Sequence, residues 1–287
     1  MQKILFSKMS GAGNDFIIFD KDSNPDLVLF NNNIAKLCDR HYGIGADGVI
    51  TIAGSKNYDF VMEYFNADGS TGSLCGNGAR CAIDFAAKKF SLKKKVRFLS
   101  NGVEYSGEIL EENKVRFFFN SPGGLKTDLK IKAGGQLISA DFINTGSPHI
   151  VIDIQEISKD PLKPRSRYTD IKEVPVFSLG KEIRYLSEFA PGGTNVNFIN
   201  LNDRKLEIRT YERGVENETL SCGTGSAASA LVAFFKRKVK PPVILAAAGG
   251  DELIVDFKFV DKKIKELSLT GPVVNTFTGE FSLNKYL

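Results

Sequence analysis

The chain has 287 residues, is 42% hydrophobic and 25% charged, and carries a formal net charge of +4. This balance is ordinary for a globular protein and speaks against a dedicated nucleic-acid binder, whose surface carries a larger positive excess. No apolar run approaches the roughly 18 residues that a membrane-spanning helix needs, and the opening MQKILFSKMSG lacks the apolar core of a signal peptide. Two cytoplasmic domains are therefore expected, with no nucleic-acid or membrane partner. Four cysteines, Cys38, Cys75, Cys81 and Cys222, are too few and too scattered for a disulfide framework. A cysteine taken singly is usually a small buried apolar residue.

In chain order, the run VITIAG over 49–54 and the segment 60–65 read as strands. The segment 78–90 (GARCAIDFAAKKF) reads as a helix, rich in alanine and closed by lysines that suit the negative end of its dipole. Strands are expected over 115–119, 149–154 and 205–211, a second helix over 225–237 (GSAASALVAFFKR), and a strand over 253–259. The lysine-rich stretches after the two helices are read as solvated helix ends.

The two helices belong to an internal repeat. With Cys75 set against Cys222, Gly76 meets Gly223, Gly78 meets Gly225, Tyr64 meets Tyr211 and Lys89 meets Lys236. Upstream, GNDFIIFD (13–20) resembles GSPHIVID (146–153). Order and context are kept over most of both halves. The expected class is therefore α/β (α+β): two pseudo-twofold-related domains, each a curved, mostly antiparallel sheet wrapped around a central helix. The breaker cluster Ser121-Pro-Gly-Gly124 places the boundary, giving domains 1–121, joined by a C-terminal strand over 272–287, and 122–271.

The chemistry concentrates in CGNG at Cys75 and CGTG at Cys222, each opening a helix. A cysteine there feels the positive dipole end and free backbone N–H groups, which favour the thiolate. The same N–H groups can hold a carboxylate. Two such loops in pseudo-twofold positions can present two sulfurs to one carbon from opposite sides. Inverting a stereocentre by deprotonation needs that arrangement, a base on one face and an acid on the other. Gly43-x-Gly45-x-x-Gly48 matches a dinucleotide fingerprint, but a strand follows it where a helix is needed. CGTGSAA sits in a better context, yet its next acidic residue, Asp251, comes too late. Cys75 and Cys81 do not have zinc-ligand spacing and there are only two histidines, so no metal site is expected. Cys81 is read as core.

The segments KMSGAGNDF (8–16), RHYGIGADG (40–48), YFNADGSTGSLCGNGARC (64–81), NTGSPH (144–149), GTNVNF (193–198) and YERGVENETLSCGTG (211–225) resemble diaminopimelate epimerase over nearly the whole chain. That resemblance implies a homodimeric isomerase that interconverts LL- and meso-diaminopimelate for lysine and peptidoglycan precursors, with no pyridoxal phosphate, metal or other cofactor. By resemblance, Cys75 and Cys222 are the acid–base thiols. Asn14, Gly76, Asn77, Gly223 and Thr224 hold the reacting amino-acid centre. Asn66, Ser147, Asn195 and Arg213 recognise the distal end, Glu212 binds an ammonium and His149 supports the site. Taken without the resemblance, Asn14, Asn66 and Asn195 are also common turn residues, Glu212 and Arg213 could form an ordinary surface pair, and His149 could be a satisfied core residue.

Three departures touch the pocket. Ser147 stands where many members have asparagine, Gly48 where some have glutamine, and the stretch from Arg213 to Cys222 is one residue longer because of the ENE segment (216–218). Two rivals remain at this stage. One is another two-cysteine racemase of proline or hydroxyproline, which would have no use for Arg213 with Asn66 and Asn195. The other is a thiol-redox or dinucleotide-binding protein. Two facing thiols could also oxidise to a silent disulfide. An aged sample is then expected to gain activity on addition of reductant, and an unchanged rate would count against it.

Overall fold

A computed structural model describes residues 3–72, 74–111, 113–202 and 205–282. The chain divides into two compact units, Met1–Phe118 with Thr270–Leu287, and Phe119–Leu269.

The first unit opens with a hairpin, β1 (Lys3–Gly11) and β2 (Asn14–Asp20). Its two-residue turn, Ala12-Gly13, has positive φ at both positions, 55° and 93°, as a tight turn matched to strand twist requires. Then come α1 (Asn31–Cys38), β3 (Gly48–Ala53), β4 (Phe60–Asn66), α2 (Gly76–Phe90), β5 (Lys95–Ser100), β6 (Val103–Glu111) and β7 (Lys114–Phe118). The second unit holds β8 (Gly123–Ala133), β9 (Gln136–Asn144), β10 (Pro148–Asp153), α3 (Val176–Arg184), β11 (Asn195–Asn202), β12 (Lys205–Glu212), β13 (Asn217–Thr219), α4 (Gly223–Arg237), β14 (Val243–Ala247), β15 (Glu252–Val260) and most of β16 (Lys263–Pro272), whose residues from Thr270 on belong to the first unit. The last strand, β17 (Val274–Ser282), lies antiparallel to β1.

The pairing order is the same in both units. In the first, β1–β2 is antiparallel, β2–β3 parallel, β3–β4 antiparallel, and after α2 come parallel β4–β5 and antiparallel β5–β6. In the second, β9–β10 is antiparallel, β10–β11 parallel, β11–β12 antiparallel, and after α4 come parallel β12–β14 and antiparallel β14–β15. β17 lies beside β1 as β8 lies beside β9. Central strands such as β2 and β3 are nearly continuous apolar runs because both faces are covered.

Each central helix is 15 residues long and buried on every side for most of its length: α2 packs on β1, β2, β6 and β7, and α4 on β9 to β12 and β15. Alanine, glycine and serine let strands close around a helix that would otherwise need a polar face. Both helices end on a left-handed residue, Ser91 (φ 52°) and Lys238 (φ 58°), with basic residues in the last turn. Both begin two residues earlier than the alanine pattern suggested, because the first glycine of each cysteine loop is already helical. On the other side of each sheet a short helix that the sequence pattern did not suggest completes a core. Ile34 and Leu37 of α1 join Ile4, Ile17, Phe19 and Val49, while Leu179 and Ile183 of α3 join Ile150, Val196 and Tyr211. Among the described residues no helix is long and apolar enough to cross a membrane.

The contact of α3 with β12 rests on Gly180, where an added Cβ would lie 2.4 Å from Tyr211 Cβ and 2.7 Å from its Cγ. Neither atom is a flexible end. Gly180→Ala is expected to destabilise the protein by about 1–3 kcal/mol despite alanine's better helix propensity. A thermal melt at unchanged or raised temperature would contradict this.

Candidate active site

Cys75 and Cys222 occupy the same structural position. Each is the residue before the first turn of a buried helix, with an extended backbone (φ −86° and −128°) and no side-chain cap bond. The first turn closes by Ala79 N donating to Cys75 O at 2.8 Å, and by Ser226 N donating to Cys222 O at 2.8 Å. The remaining N–H groups of those turns have no partner within the helix. Cys75 is half-buried and Cys222 buried. The other two thiols differ in kind. Burial pushes Cys38 and Cys81 each up to about 12, so they stay protonated and inert, and Cys81 is core as read from the sequence.

In the first unit a polar chain runs to the α2 loop. Asn14 donates to Asp47 Oδ2 at 2.9 Å and accepts from Asn77 Nδ2 at 2.6 Å, and Asn77 Oδ1 accepts from Arg80 at 3.0 Å. Asp47 is held by Arg40 at 2.6 Å, and Arg40 also grips Asp15 with two bonds of 2.7 and 3.0 Å. Lys8 pairs with Asp15 at 2.7 Å. Burial works against the Asp15 carboxylate, but Arg40 and Lys8 outweigh it and hold its pKa below the usual range. Asn14 is thus oriented by charge and not by a turn. Asp15, Arg40 and Asp47 were not singled out from sequence, although RHYGIGADG carries two of them.

Asn66 ends β4 and closes a turn, accepting from Gly69 N through its carbonyl and donating from its amide to Ser70 Oγ at 3.0 Å. The departure at Gly48 has a steric reason beside it. A Cβ there would lie 2.8 Å from the Tyr64 ring, and one at Gly72 would lie 2.4 Å from the same ring. Tyr64 therefore fills the space a larger residue at 48 would take.

In the second unit the polar cluster is denser. His149, fully buried, meets Ser147 Oγ through Nε2 at 2.9 Å and Asn197 Nδ2 through Nδ1 at 3.0 Å. Asn195 donates to Pro148 O at 2.8 Å and to Ser147 Oγ at 3.3 Å, and accepts from Arg213 N at 2.9 Å. Ser147 Oγ lies 3.3 Å from Thr224 Oγ1, which lies 3.6 Å from Cys222 Sγ. Asn197 also donates to Ile150 O at 2.9 Å and accepts from Thr210 at 3.0 Å. Neither Asn197 nor Thr210 was anticipated, although Asn195 and Asn197 alternate along one strand and so share a face. Gly225 is required here, because a Cβ would lie 2.3 Å from Asn197 Oδ1 and 3.2 Å from Cys222 Sγ.

The longer ENE segment builds a hairpin between β12 and β13, with Tyr211 opposite Glu218 and Glu212 opposite Asn217. Glu218 takes Arg209 in two bonds of 2.6 and 2.7 Å, and Glu216 takes Arg184 at 3.1 Å. Glu212 accepts from Thr219 at 2.8 Å. Among the described residues no carboxylate pairs with Arg213. Burial first, and Arg184 second, lower its pKa. Arg213 lines a cavity of about 390 Å³ with Lys126, Phe142, Pro148, Glu188 and Phe189. A half-buried guanidinium on a cavity wall suits an anionic group, which it can grip in a bidentate fork. Among the described residues no group of three histidine, cysteine or acidic side chains is gathered as a metal ligand set.

A sequence profile of the family described as "Diaminopimelate epimerase" matches residues 6–120 and 142–275. The chain belongs to the diaminopimelate epimerase family. It is 37% identical to the diaminopimelate epimerase of Aquifex aeolicus (strain VF5), covering 96% of this chain and 97% of that one. It is 36% identical to that of Chlorobaculum tepidum, covering 96% and 100%. The fold is also that of a hydroxyproline epimerase from Agrobacterium vitis (TM-score 0.70, 12% identity, 98% and 93% covered) and of a Bacillus anthracis protein of the phenazine-biosynthesis PhzF family (TM-score 0.70, 14% identity, 99% and 100% covered). At such identities these two structures speak for the fold alone. In the epimerase family's terms, the structure groups Asn14 and Asn77 beside the Cys75 loop, and Ser147, His149, Asn195 and Thr224 beside Cys222.

Burial, then Arg213, push the pKa of His149 down to about 3 against a weaker opposing hydrogen bond from Asn197. A histidine in the unfolded chain takes up a proton below about pH 6.5, whereas this one does not until about pH 3. Its contribution to stability is therefore full above pH 6.5 and is lost as pH falls toward 3, by up to about 1.4 kcal/mol per pH unit. Denaturant titrations between pH 6.5 and 5, above the range where carboxylates titrate, are expected to show this slope in the native protein and a flatter one in His149→Gln. Equal slopes would contradict the assignment.

Proposed function

We propose that this chain interconverts LL- and meso-2,6-diaminopimelate by passing one α-proton out to one thiol and one in from the other. The observation that carries this reading is the duplicated cysteine at the first turn of a buried helix. Family membership over nearly the whole chain supports the substrate. One cysteine starts as thiolate and removes the α-hydrogen, becoming a thiol. The other starts as thiol and gives its proton to the opposite face, becoming a thiolate. Charge is conserved, and the reverse reaction uses the same groups with roles exchanged.

The α-hydrogen of an amino acid is weakly acidic, so the transient carbanion needs stabilisation at its carboxylate. N–H groups of Gly76, Asn77, Gly223 and Thr224 are suited to that, being aligned with the helix dipoles and spared any reorganisation. Asn14 adds a side-chain amide whose direction Asp47 and Asn77 determine. Arg213 takes the distal carboxylate, Asn66, Ser147 and Asn195 contact the distal end, Glu212 takes an ammonium and His149 supports the cluster. We further propose a cytoplasmic homodimer that supplies meso-diaminopimelate for lysine and peptidoglycan precursors.

Cys75→Ser and Cys222→Ser are each expected to lower the epimerisation rate by about 10²–10⁴-fold, the usual worth of a general acid or base. Cys81→Ser is expected to leave it within a few-fold. Full activity in either of the first two variants, or turnover of proline but not of diaminopimelate, would overturn the reading.

A further inference from the structure

We infer that Asp47 is a positioning residue for the reacting carboxylate: it is the double acceptor in a hydrogen-bond chain pinned at both ends by guanidinium groups, and it thereby fixes Asn14 to offer an N–H to the substrate. The inference rests on the reading of Asn14 and the Cys75 loop as part of the reacting-centre site.

The direction of each bond in this chain is set by groups that have one role only. A guanidinium donates and never accepts, and a carboxylate accepts. Arg80 Nη1 lies 3.0 Å from the Asn77 amide, so the Asn77 atom there is Oδ1. Asn77 Nδ2 then faces Asn14 at 2.6 Å, and the Asn14 atom that accepts is Oδ1. Asn14 Nδ2 in turn donates to Asp47 Oδ2 at 2.9 Å. At the other end Arg40 Nη2 donates to Asp47 Oδ1 at 2.6 Å. Arg40 cannot swing aside without giving up its two bonds to Asp15. Both ends of the chain dictate the same orientation for Asn14.

Two asparagines alone cannot join two guanidiniums. Each amide passes a bond along, accepting at its oxygen and donating from its nitrogen. A chain that starts on one donor-only group and finishes on another must contain one member that accepts on both sides. Asp47 is that member. Its Oδ2 also takes a longer bond from Asp15 N at 3.2 Å, and its own N donates to Asp15 O at 2.9 Å. The carboxylate is therefore held from the backbone as well.

This arrangement leaves one hydrogen for the substrate. Asn14 is 7% exposed. Its oxygen is satisfied by Asn77, and the second hydrogen of Nδ2 has no partner among the described residues. A buried donor without a partner is costly, whereas an amide oxygen with one bond is not. A carboxylate oxygen satisfies that hydrogen, and an ammonium cannot. Flipping the amide would set Asn14 Oδ1 against Asp47 Oδ2 and bring two N–H groups together where Asn77 now donates. The donor thus needs no reorganisation as charge develops on the carboxylate.

The test is a double-mutant cycle in the full-length enzyme. Asn14→Asp alone sets two carboxylates side by side, and Asp47→Asn alone leaves the chain without a double acceptor. Each is expected to lower the melting temperature by about 3–8 °C. The exchange Asn14→Asp/Asp47→Asn moves the double acceptor one place along. It keeps the bonds from Arg40, Asn77 and Arg80 and gives up only the one from Asp15 N, so it is expected to melt higher than either single variant. It nevertheless turns an acceptor toward the substrate, and kcat/KM for LL-diaminopimelate is expected to fall by about 10- to 100-fold. Calorimetric binding of LL-diaminopimelate and of its monoamide supplies a readout that a merely structural role would not move. The monoamide's free carboxylate has Arg213 to hold it, which leaves the carboxamide, able to donate, at the reacting end. The preference for diaminopimelate over the monoamide is expected to drop about tenfold or more in the exchange variant. Melting losses that simply add in the exchange variant would overturn the inference, and so would a native preference between the two ligands or tighter binding of diaminopimelate. Failure of the catalytic reading itself would appear differently, as activity retained by Cys75→Ser.

Discussion

Everything in the structure serves one local constraint: a thiol must sit where a buried helix begins, beside backbone N–H groups with no partner in the helix. An extended cysteine followed by a glycine satisfies this, because the chain can enter the first turn without a side chain crowding the sulfur. The helix must then be enclosed, or water would screen its dipole. That is why α2 and α4 are built of small residues and why strands close around them. The contact at Gly225, where any side chain would strike Asn197 and the sulfur, shows how little room is left.

Enclosure has a cost. Buried polar groups must find partners, and an unsatisfied one costs about 1–3 kcal/mol. The two units meet that demand in different ways. Around Asn14 the orientation comes from charge, with Lys8 and Arg40 fixing Asp15, and Arg40 fixing Asp47. Around His149 it comes from neutral amides, hydroxyls and the neutral imidazole itself, and Arg213 has no carboxylate partner among the described residues. The duplicated fold therefore carries two unlike surroundings for two like thiols. This suits a reaction in which one sulfur starts charged and the other does not.

Much of this was legible in the sequence. The repeat that sets Cys75 against Cys222 follows from matched glycines and lysines, and the strands 60–65 and 205–211 are found at Phe60–Asn66 and Lys205–Glu212. The first two residues of each helix, Gly76-Asn77 and Gly223-Thr224, escaped because they are small or polar and add nothing to a helical hydrophobic period. α1 (NNNIAKLC) escaped because three asparagines read as turn, and only Ile34, Leu37 and Cys38 packing into the core make it helical. Asp47, Asn197 and Thr210 were not legible for a different reason. Their roles come from partners 13 to 48 positions away, and pairing of that kind is fixed by topology and not by local pattern.

The proton path itself can be followed most directly with LL-diaminopimelate in deuterium oxide at low conversion, reading isotope at the inverted carbon in both isomers. Two thiols serving opposite faces predict meso product carrying solvent deuterium in essentially every molecule, while the recovered LL isomer remains protiated. Product that keeps its original hydrogen, or LL isomer that exchanges as fast as product appears, would mean a single group working from one face and would contradict the account.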